Sequence, residues 1–436
     1  MNRLVIPHHM FEALAGGRGG AAAGSFLAAT ARDRHLVLLR AVADAAGSGA
    51  IRDAFDALAR MHDAAPERVE PLLRYPAVGA WALAALRDLR AGGPPDHGPA
   101  ARMGALAAGA AIRAGLRFEV SLPAEDGGVM LPSLGRASTG PGDCLIRVVP
   151  PAASFVTPAP RADVTPASRA DITPASRVEF AGAGWQGLRT IVAEHPHGDL
   201  RITLDDLDPH RFPAVGRPAP RLSEAEVARW RELFQEAWRI LRDHHPATAA
   251  EVSSMISVVV PLSGAAWAAS GTSRTTFGCV ALARPRDATA LAATLAHEVQ
   301  HAKLTTLLYL VDLIAVDPGT RYYAPWRHDP RPITGLLHGT YAHLGVAEFW
   351  RRQRHVDGGD GAHAEFARWR EAAADTARVI HESSALTSTG RRFVDGMTRA
   401  LLALNDEAVP SRAVELARRA ADRHRRDYGA ATGPAT

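Results

Sequence analysis

The sequence predicts a mostly α-helical α+β protein of two or three domains. Three observations lead to this fold class: apolar residues recur at helical spacing from Phe11 to about Leu116, short strand-like runs follow up to about Pro213, and helical spacing returns from Gly335 onward. The 436 residues are 47% hydrophobic and 22% charged. This composition excludes a fibrous or wholly disordered chain and is sufficient for a sizeable core.

We divide the chain into a helical N-terminal region (residues 1–116), a small β-rich module (117–214) and a helical catalytic domain (220–436). The module contains the runs FEVSL, CLIRVV, LRTIVAE and LRITLDD. Its residues 150–177 hold a near repeat, RADVTPAS followed by RADITPAS, with proline in every copy and few large apolar groups. Such a repeat is typical of a low-complexity insertion in a surface loop.

Sequence signals also mark elements of the third segment. Ser223 and Glu226 have the spacing of a helix capping box. SMISVVVPL and TTFGCVALA then read as two strands, and Asp287 precedes a long helix predicted from Ala288 to about Val316.

Charge and cysteine content exclude several classes of protein. The formal charge of +4 arises from 50 basic and 46 acidic residues, which nearly balance. The overall charge therefore does not predict a nucleic-acid partner. Only Cys144 and Cys279 occur, far apart, which excludes a disulfide framework and a CxxC motif. The longest apolar run, residues 257–271, is short and broken by Pro261. We therefore expect a cytoplasmic protein with no export signal and no membrane span.

The sequence HEVQH at residues 297–301 carries the chemistry. His297 and His301 are four residues apart on the predicted long helix, so both imidazoles project from one face and can converge on one metal ion. The apolar positions around them would bury the helix. Lys303, the only lysine of the chain, lies about 200° around the helix from the metal, and we interpret it as half of a structural ion pair.

The third ligand must come from elsewhere in the chain. A metzincin requires glycine at 304 and histidine at 307, but both positions are leucine. A gluzincin requires a downstream glutamate, and none occurs before Glu348, although Glu348 and Glu382 keep that option open. We favour His338, in the first turns of the following helix. His328 and His343 are alternatives, and helical spacing predicts that His343 is turned away from that face.

The stretches HEVQHAKL and YYAPWRHDPRPITGLLHGTYAHLGV resemble the HExxH-type 2-oxoglutarate-dependent peptide β-hydroxylases, also described as HExxH-motif peptide modification proteins. The N-terminal PHHMFEALAGG and HLVLLRAV segments resemble the family more loosely. The resemblance implies iron(II) held by His297, His301 and His338, with 2-oxoglutarate and O2 as co-substrates. It also implies β-hydroxylation of a ribosomally synthesised precursor peptide in peptide natural-product biosynthesis.

Binding of 2-oxoglutarate then requires an anchor for its distal carboxylate, for which a bidentate arginine is the best geometric match. We expect Arg327 or Arg331 in this role, with Arg321 as a third choice. Glu298 has no required role as a base in this chemistry and is assigned a supporting contact to a metal ligand or metal-bound water.

Two other functions remain open at this stage. In a zinc metallopeptidase, Glu298 would deprotonate a metal-bound water. In a non-catalytic peptide-binding protein, the histidines would hold a structural metal.

Overall fold

The predicted fold class is confirmed by a computed structural model. It describes residues 5–47, 49–93, 98–150, 152–156, 179–181, 184–213, 216–264, 270–317 and 319–432. The protein is 59% helical and 14% strand. The proline-containing repeat lies outside the described residues.

The N-terminal segment is helical, as predicted. Its elements are α1 His8–Ala15, α2 Gly20–Ala46, α3 Ala50–Ala64, α4 Pro66–Leu73, α5 Pro76–Arg90, a 3₁₀ turn at Gly98–Arg102, and α6 Met103–Ala114. Helix α6 is almost wholly buried and ends at Gly115, whose φ of 73° suits a left-handed C-cap that glycine adopts without strain.

Two small antiparallel-rich sheets follow. The first has the order β1-β4-β5-β6 and the second β2-β3-β7. Their strands are β1 Phe118–Pro123, β2 Gly128–Leu131, β3 Gly135–Ser138, β4 Asp143–Val149, β5 Ala152–Val156, β6 Glu179–Ala181 and β7 Trp185–Gly187. The runs FEVSL and CLIRVV form β1 and β4, which pair antiparallel with alternating burial on β4.

A third sheet, with the order β11-β12-β10-β9-β8, crosses the boundary predicted near residue 214. Its strands are β8 Arg189–Ala193, β9 Leu200–Leu204, β10 Val258–Pro261, β11 Ser270–Gly271 and β12 Cys279–Leu282. Strand β9 pairs parallel to β10, and α7 Glu224–His244 and α8 Pro246–Met255 connect them. The last strands of the predicted β-rich module thus share a sheet with strands of the predicted catalytic domain.

The remaining helices are α9 Ala288–Leu307, α10 Ile333–Asp357, α11 Asp360–His381, α12 Ser388–Asn405 and α13 Ser411–Thr432. The predicted capping box is confirmed at α7, where Ser223 accepts a hydrogen bond from the Glu226 backbone and Glu226 accepts one from the Ser223 backbone. The prediction that α9 continues to Val316 is wrong. The chain leaves the helix after Leu307 through tight turns, in which Leu310 N–H donates to the Leu307 carbonyl.

The larger core joins both ends of the chain. Phe11 and Leu27 from the first two helices pack in one apolar cluster with Leu295 of α9, Leu344 of α10 and Phe393 of α12. The N-terminal helices therefore support the face of α9 and α10 behind the HEVQH sequence, and packing crosses the borders of the three predicted segments.

Candidate metal centre

Helix α9 presents the two histidines of the motif side by side. Asp287 caps the helix by accepting a hydrogen bond from the Ala290 backbone at 2.7 Å. One turn apart, His297 and His301 approach with their Nε2 atoms 3.0 Å apart. For metal–nitrogen bonds of about 2.1 Å, this separation corresponds to an angle of about 90° at the metal, whereas a tetrahedral angle would need about 3.4 Å. Without a metal the two rings can share a hydrogen bond.

Helix α10 places two further imidazoles beside this pair. The ring centroid of His338 lies 5.9 Å from that of His301, and the ring centroid of His343 lies 5.0 Å from that of His297. The prediction that His343 is turned away is therefore wrong. His338 and His343 flank the pair from two sides because the helices lie so close that an imidazole can reach across from either side of their contact.

Glycine makes that close packing possible. A Cβ atom on Gly345 would meet Gln300 Cγ at 2.5 Å and the Ala296 carbonyl oxygen at 2.9 Å. A Cβ atom on Gly339 would lie 2.3 Å from the Trp326 ring. Any larger residue at either position would push apart α9, α10 or the loop that carries Trp326.

His343 is held in one orientation. Its Nδ1 donates a hydrogen bond to the Gly339 carbonyl at 2.8 Å, which leaves Nε2 as the free nitrogen of the neutral ring. The ring stacks on Trp326 at 4.4 Å and contacts Trp369 at 4.5 Å. Among the described residues no aromatic stack or hydrogen bond clamps His338 in the same way, and its side chain is half-buried, so it can rotate toward the pair with less loss of packing.

Burial keeps all four imidazoles neutral. It lowers the pKa of His297 to about 3, that of His343 to about 3, and that of His338 to about 4. Burial lowers the pKa of His301 well below its usual value, with smaller contributions from His297 and His338. Neutral imidazole is the form that binds metal, so these rings need not lose a proton at pH 7.

Glu298 directly follows His297 and lies about 60° around α9 from His301, where strand β11 packs over it. It accepts a hydrogen bond from the Ser270 hydroxyl at 2.6 Å and is 1% exposed. Burial raises its pKa to about 7, partly offset by the hydroxyls of Ser270 and Thr272. Its predicted contact with a metal ligand or bound water stays a prediction.

Two of the four imidazoles are already placed to bind a metal ion, but a third ligand is not. The Nε2 atoms of His297 and His301 already have a suitable separation, and their chemistry suits a divalent first-row metal. As the side chains stand, however, no group of three His, Cys, Asp or Glu residues among those described is arranged to hold an ion. Rotation of one flanking ring, His338 or His343, is needed to complete the site.

The predicted carboxylate anchors lie on the surface. Arg327 and Arg331 both pair with Asp329, at 2.6 and 3.0 Å, and the hydrogen bond from Arg327 is the main reason that the pKa of Asp329 is lowered. Arg321 is exposed. None of these contacts reaches the histidines, so the three arginines stay predictions as anchors.

The other ligands considered from the sequence are engaged elsewhere or exposed. Glu348 pairs with Arg351 at 3.4 Å, and Glu382 is exposed at the end of α11. His328 stacks on His424 with ring centroids 4.9 Å apart. The described contacts thus bring only His338 and His343 to the motif pair.

Lys303 forms the predicted ion pair. Its Nζ lies 2.9 Å from Glu251 Oε2 and donates to the Gly17 carbonyl at 2.9 Å, and the side chain is 1% exposed. Glu251 also accepts a hydrogen bond from the Gly20 backbone. This network ties α8 and α9 to the turn between α1 and α2.

Sequence reasoning missed two groups at the site. Trp369 of α11 contacts His343, and Arg274, which follows β11, has its guanidinium near enough to His338 to contribute to the lowered pKa of that ring. Neither stands at a motif spacing, so only the tertiary fold could identify them.

Comparison with protein-family models and with curated protein sequences finds no match to this chain. No helix among the described residues combines the length and apolarity required to span a bilayer.

Proposed function

We propose that this chain is a non-haem iron(II)/2-oxoglutarate-dependent dioxygenase that β-hydroxylates residues of a ribosomally synthesised precursor peptide. The observation that carries the proposal is the 3.0 Å separation of the His297 and His301 Nε2 atoms, which is short enough for both nitrogens to bind one divalent first-row metal ion. The resemblance of residues 295–350 to the peptide β-hydroxylases supports it. The cytoplasmic location stays an expectation.

In this proposal His297, His301 and His338 hold the iron. His338 is favoured over His343 because the latter is clamped by Trp326, Trp369 and its hydrogen bond to Gly339. An ion held by three protein side chains would still have room to bind a keto acid and O2. When bound, the iron supplies the redox chemistry that couples decarboxylation of 2-oxoglutarate to succinate with oxygen insertion into a Cβ–H bond.

The residues of this chain contribute positioning and exclusion of water. Trp326 and Trp369 enclose one side of the cluster in aromatic surface, and Gly345 keeps α10 against α9. The histidines remain neutral through burial, so they bind the metal without first releasing protons. The side chains of His297, His301 and His338 are each partly exposed. The precursor peptide can therefore reach the site from the surface of the protein.

A zinc metallopeptidase is the second candidate, and one observation favours it. Burial raises the pKa of Glu298 to about 7, which is suitable for a general base near neutral pH. The resemblance of residues 295–350 to the peptide β-hydroxylases favours the first candidate over the second.

Succinate formation distinguishes the two candidates. The purified protein is incubated with iron(II), 2-oxoglutarate and ascorbate, in air and under nitrogen, and succinate is measured. We expect succinate only in air, and none from His297→Ala or His301→Ala. The zinc-loaded protein is tested in parallel for cleavage of a peptide mixture, with Glu298→Gln as the control. Zinc-dependent cleavage without any iron-dependent succinate would replace the first candidate by the second.

A further inference from the structure

Strand β11 is an edge strand beside the histidine cluster. It pairs on one side with β12, Ser270 opposite Leu282 and Gly271 opposite Ala281. On its other side no strand of the described residues adds to the sheet. Because the Ser270 side chain donates a hydrogen bond to Glu298, one face of this strand packs on the helix that carries the motif. An extended chain paired to such an edge gains backbone hydrogen bonds.

One tyrosine next to this edge contacts the side chain of one arginine and the backbone of another. The Arg34 guanidinium lies 4.9 Å from the centroid of the Tyr309 ring, and the Tyr309 hydroxyl donates a hydrogen bond to the Arg274 carbonyl. Both cations contribute to the electrostatic environment of Tyr309. We call Arg34, Tyr309 and Arg274 the arginine–tyrosine patch.

The patch carries charge that is not compensated locally. Within the described part of the chain, neither Arg34 nor Arg274 forms an ion pair with a carboxylate, whereas Arg32, two residues from Arg34, contacts both Asp33 and Glu70. Arg274 is exposed and Arg34 is half-buried. The Arg34 guanidinium on the tyrosine ring and the exposed side chain of Arg274 favour a carboxylate ligand, because each guanidinium can donate two parallel hydrogen bonds to it.

We propose that the outer edge of β11 and the arginine–tyrosine patch together bind an extended acidic segment of the peptide substrate. The segment adds as a strand to β11 and directs a Glu or Asp side chain to Arg274 and Arg34. Alternate side chains of a strand point to opposite faces and rise about 3.3 Å per residue. A residue near the acidic one would therefore lie over the histidine cluster. This inference rests on the proposed function for the identity of the substrate, but the docking surface itself is independent of the metal.

Other partners fit the surface less well. A nucleic acid would need a longer basic stripe with several stacking aromatics, and the patch has two arginines and one tyrosine. The distal carboxylate of 2-oxoglutarate shares the chemistry of an acidic side chain, so the experiment must separate these two sources.

The test uses the full chain without added metal. A fluorescein-labelled octapeptide in which Glu alternates with Thr, and its counterpart with Gln for Glu, are titrated with the protein at low ionic strength and followed by fluorescence anisotropy. We expect the Glu peptide to bind more tightly. Arg274→Gln and Arg34→Gln should each raise its Kd about threefold to fivefold, and salt should reduce the difference. Arg60→Gln, an exposed arginine of α3, is the matched control and should leave Kd unchanged.

Strand addition is tested by modifying the peptide, because a change in the peptide cannot affect the folding of the protein. In an added strand only every second backbone N–H of the peptide faces β11. Methylation of these nitrogens should abolish binding, and methylation of the nitrogens between them should leave binding unchanged. Equal sensitivity at all positions, equal Kd for the Glu and Gln peptides, or an unchanged Kd in Arg274→Gln would overturn the inference.

Two further outcomes separate this inference from the proposed function. If Arg274→Gln raises the Kd of 2-oxoglutarate while the Kd of the Glu peptide is unchanged, the patch anchors the co-substrate and the docking inference fails, although the dioxygenase proposal stands. If the Glu peptide binds as expected but no succinate forms with iron, the docking surface stands and the dioxygenase proposal fails.

Discussion

Gly345 of α10 lies against Ala296 of α9 so closely that a methyl group on the glycine would come within 2.9 Å of the Ala296 carbonyl oxygen. Ala296 immediately precedes His297, and Gly345 is two residues beyond His343. The distance between the two helices at the histidine cluster is therefore set by the absence of a side chain at position 345. This contact couples helix packing to the geometry of the metal ligands.

Gly345→Ala should destabilise the protein and weaken metal binding together. The added Cβ would collide with backbone and with Gln300, which has little room to move, and overpacking of this kind costs about 1–3 kcal/mol. We expect a lower free energy of unfolding in urea and a higher Kd for Co(II), used as a spectroscopic substitute for iron(II). Gly361→Ala is the matched control, since a Cβ there meets nothing within 4 Å and alanine favours the helix. Unchanged Kd and stability in Gly345→Ala would contradict the packing argument.

His338 and His343 should respond differently to substitution. We expect His338→Ala to raise the Kd for Co(II) by about two orders of magnitude, since one ligand contributes roughly a quarter of the ~12 kcal/mol of a four-ligand site. His343→Phe should retain the metal, because phenylalanine fills the space between Trp326 and Trp369 without supplying a nitrogen. Isothermal titration of both variants measures this. Loss of metal in His343→Phe with retention in His338→Ala would assign the third ligand to His343.

The sequence predicted the histidine pair well because its geometry is local. Residues four apart on a helix share a face in any fold, so the approach of His297 and His301 followed from spacing alone. The capping box at Ser223 and Glu226 was predictable for the same reason. The ion pair of Lys303 was anticipated because the helix turns that residue about 200° away from His301, although its partner Glu251 is 52 positions distant and could not be named from the sequence.

Relationships between elements were beyond the sequence. His343 was assigned to the wrong side because spacing along α10 gives the angle between residues but not the distance to α9, which Gly345 determines. The end of α9 was placed too late because apolar periodicity continues past Leu307 into turns. The partnership of Arg274 with Tyr309 depends on tertiary packing of β11 against the end of α9.

The effect of replacing Lys303 on the free energy of unfolding should depend strongly on whether Glu251 is charged. Lys303→Met leaves the Glu251 carboxylate buried without its cation, so we expect a loss of about 3–5 kcal/mol in the free energy of unfolding. The double variant Lys303→Met, Glu251→Gln should recover much of that loss, since Gln can still accept a hydrogen bond from the Gly20 backbone. Urea denaturation of both variants and of the unaltered protein measures the coupling. Additive effects of the two substitutions would show that the residues do not act as a pair.

Asp205 should make stability fall as the pH rises. Burial, with a further contribution from the charge of Asp208, raises the pKa of Asp205 to about 7, while the Tyr75 hydroxyl, which donates to it at 2.5 Å, lowers it. Between the unfolded pKa near 4 and the folded pKa near 7, the folded state holds a proton that the unfolded state has released. The free energy of unfolding must then decrease with rising pH in this window, by at most about 1.4 kcal/mol per pH unit.

Asp205→Asn tests this assignment, because the amide resembles the protonated carboxyl and its oxygen can still accept from the Leu207 and Asp208 backbones. We expect the stability of this variant, relative to the unaltered protein, to increase from pH 4 to pH 7 in urea denaturation. Buried histidines such as His35, whose pKa is lowered to about 4 by burial, oppose the trend by losing stability as the pH falls below 6.5. They act equally in both proteins and cancel in the difference. Asp63→Asn, at an exposed position of α3, serves as the control. A difference that stays constant across this pH range would mean that Asp205 is ionised in the folded protein throughout.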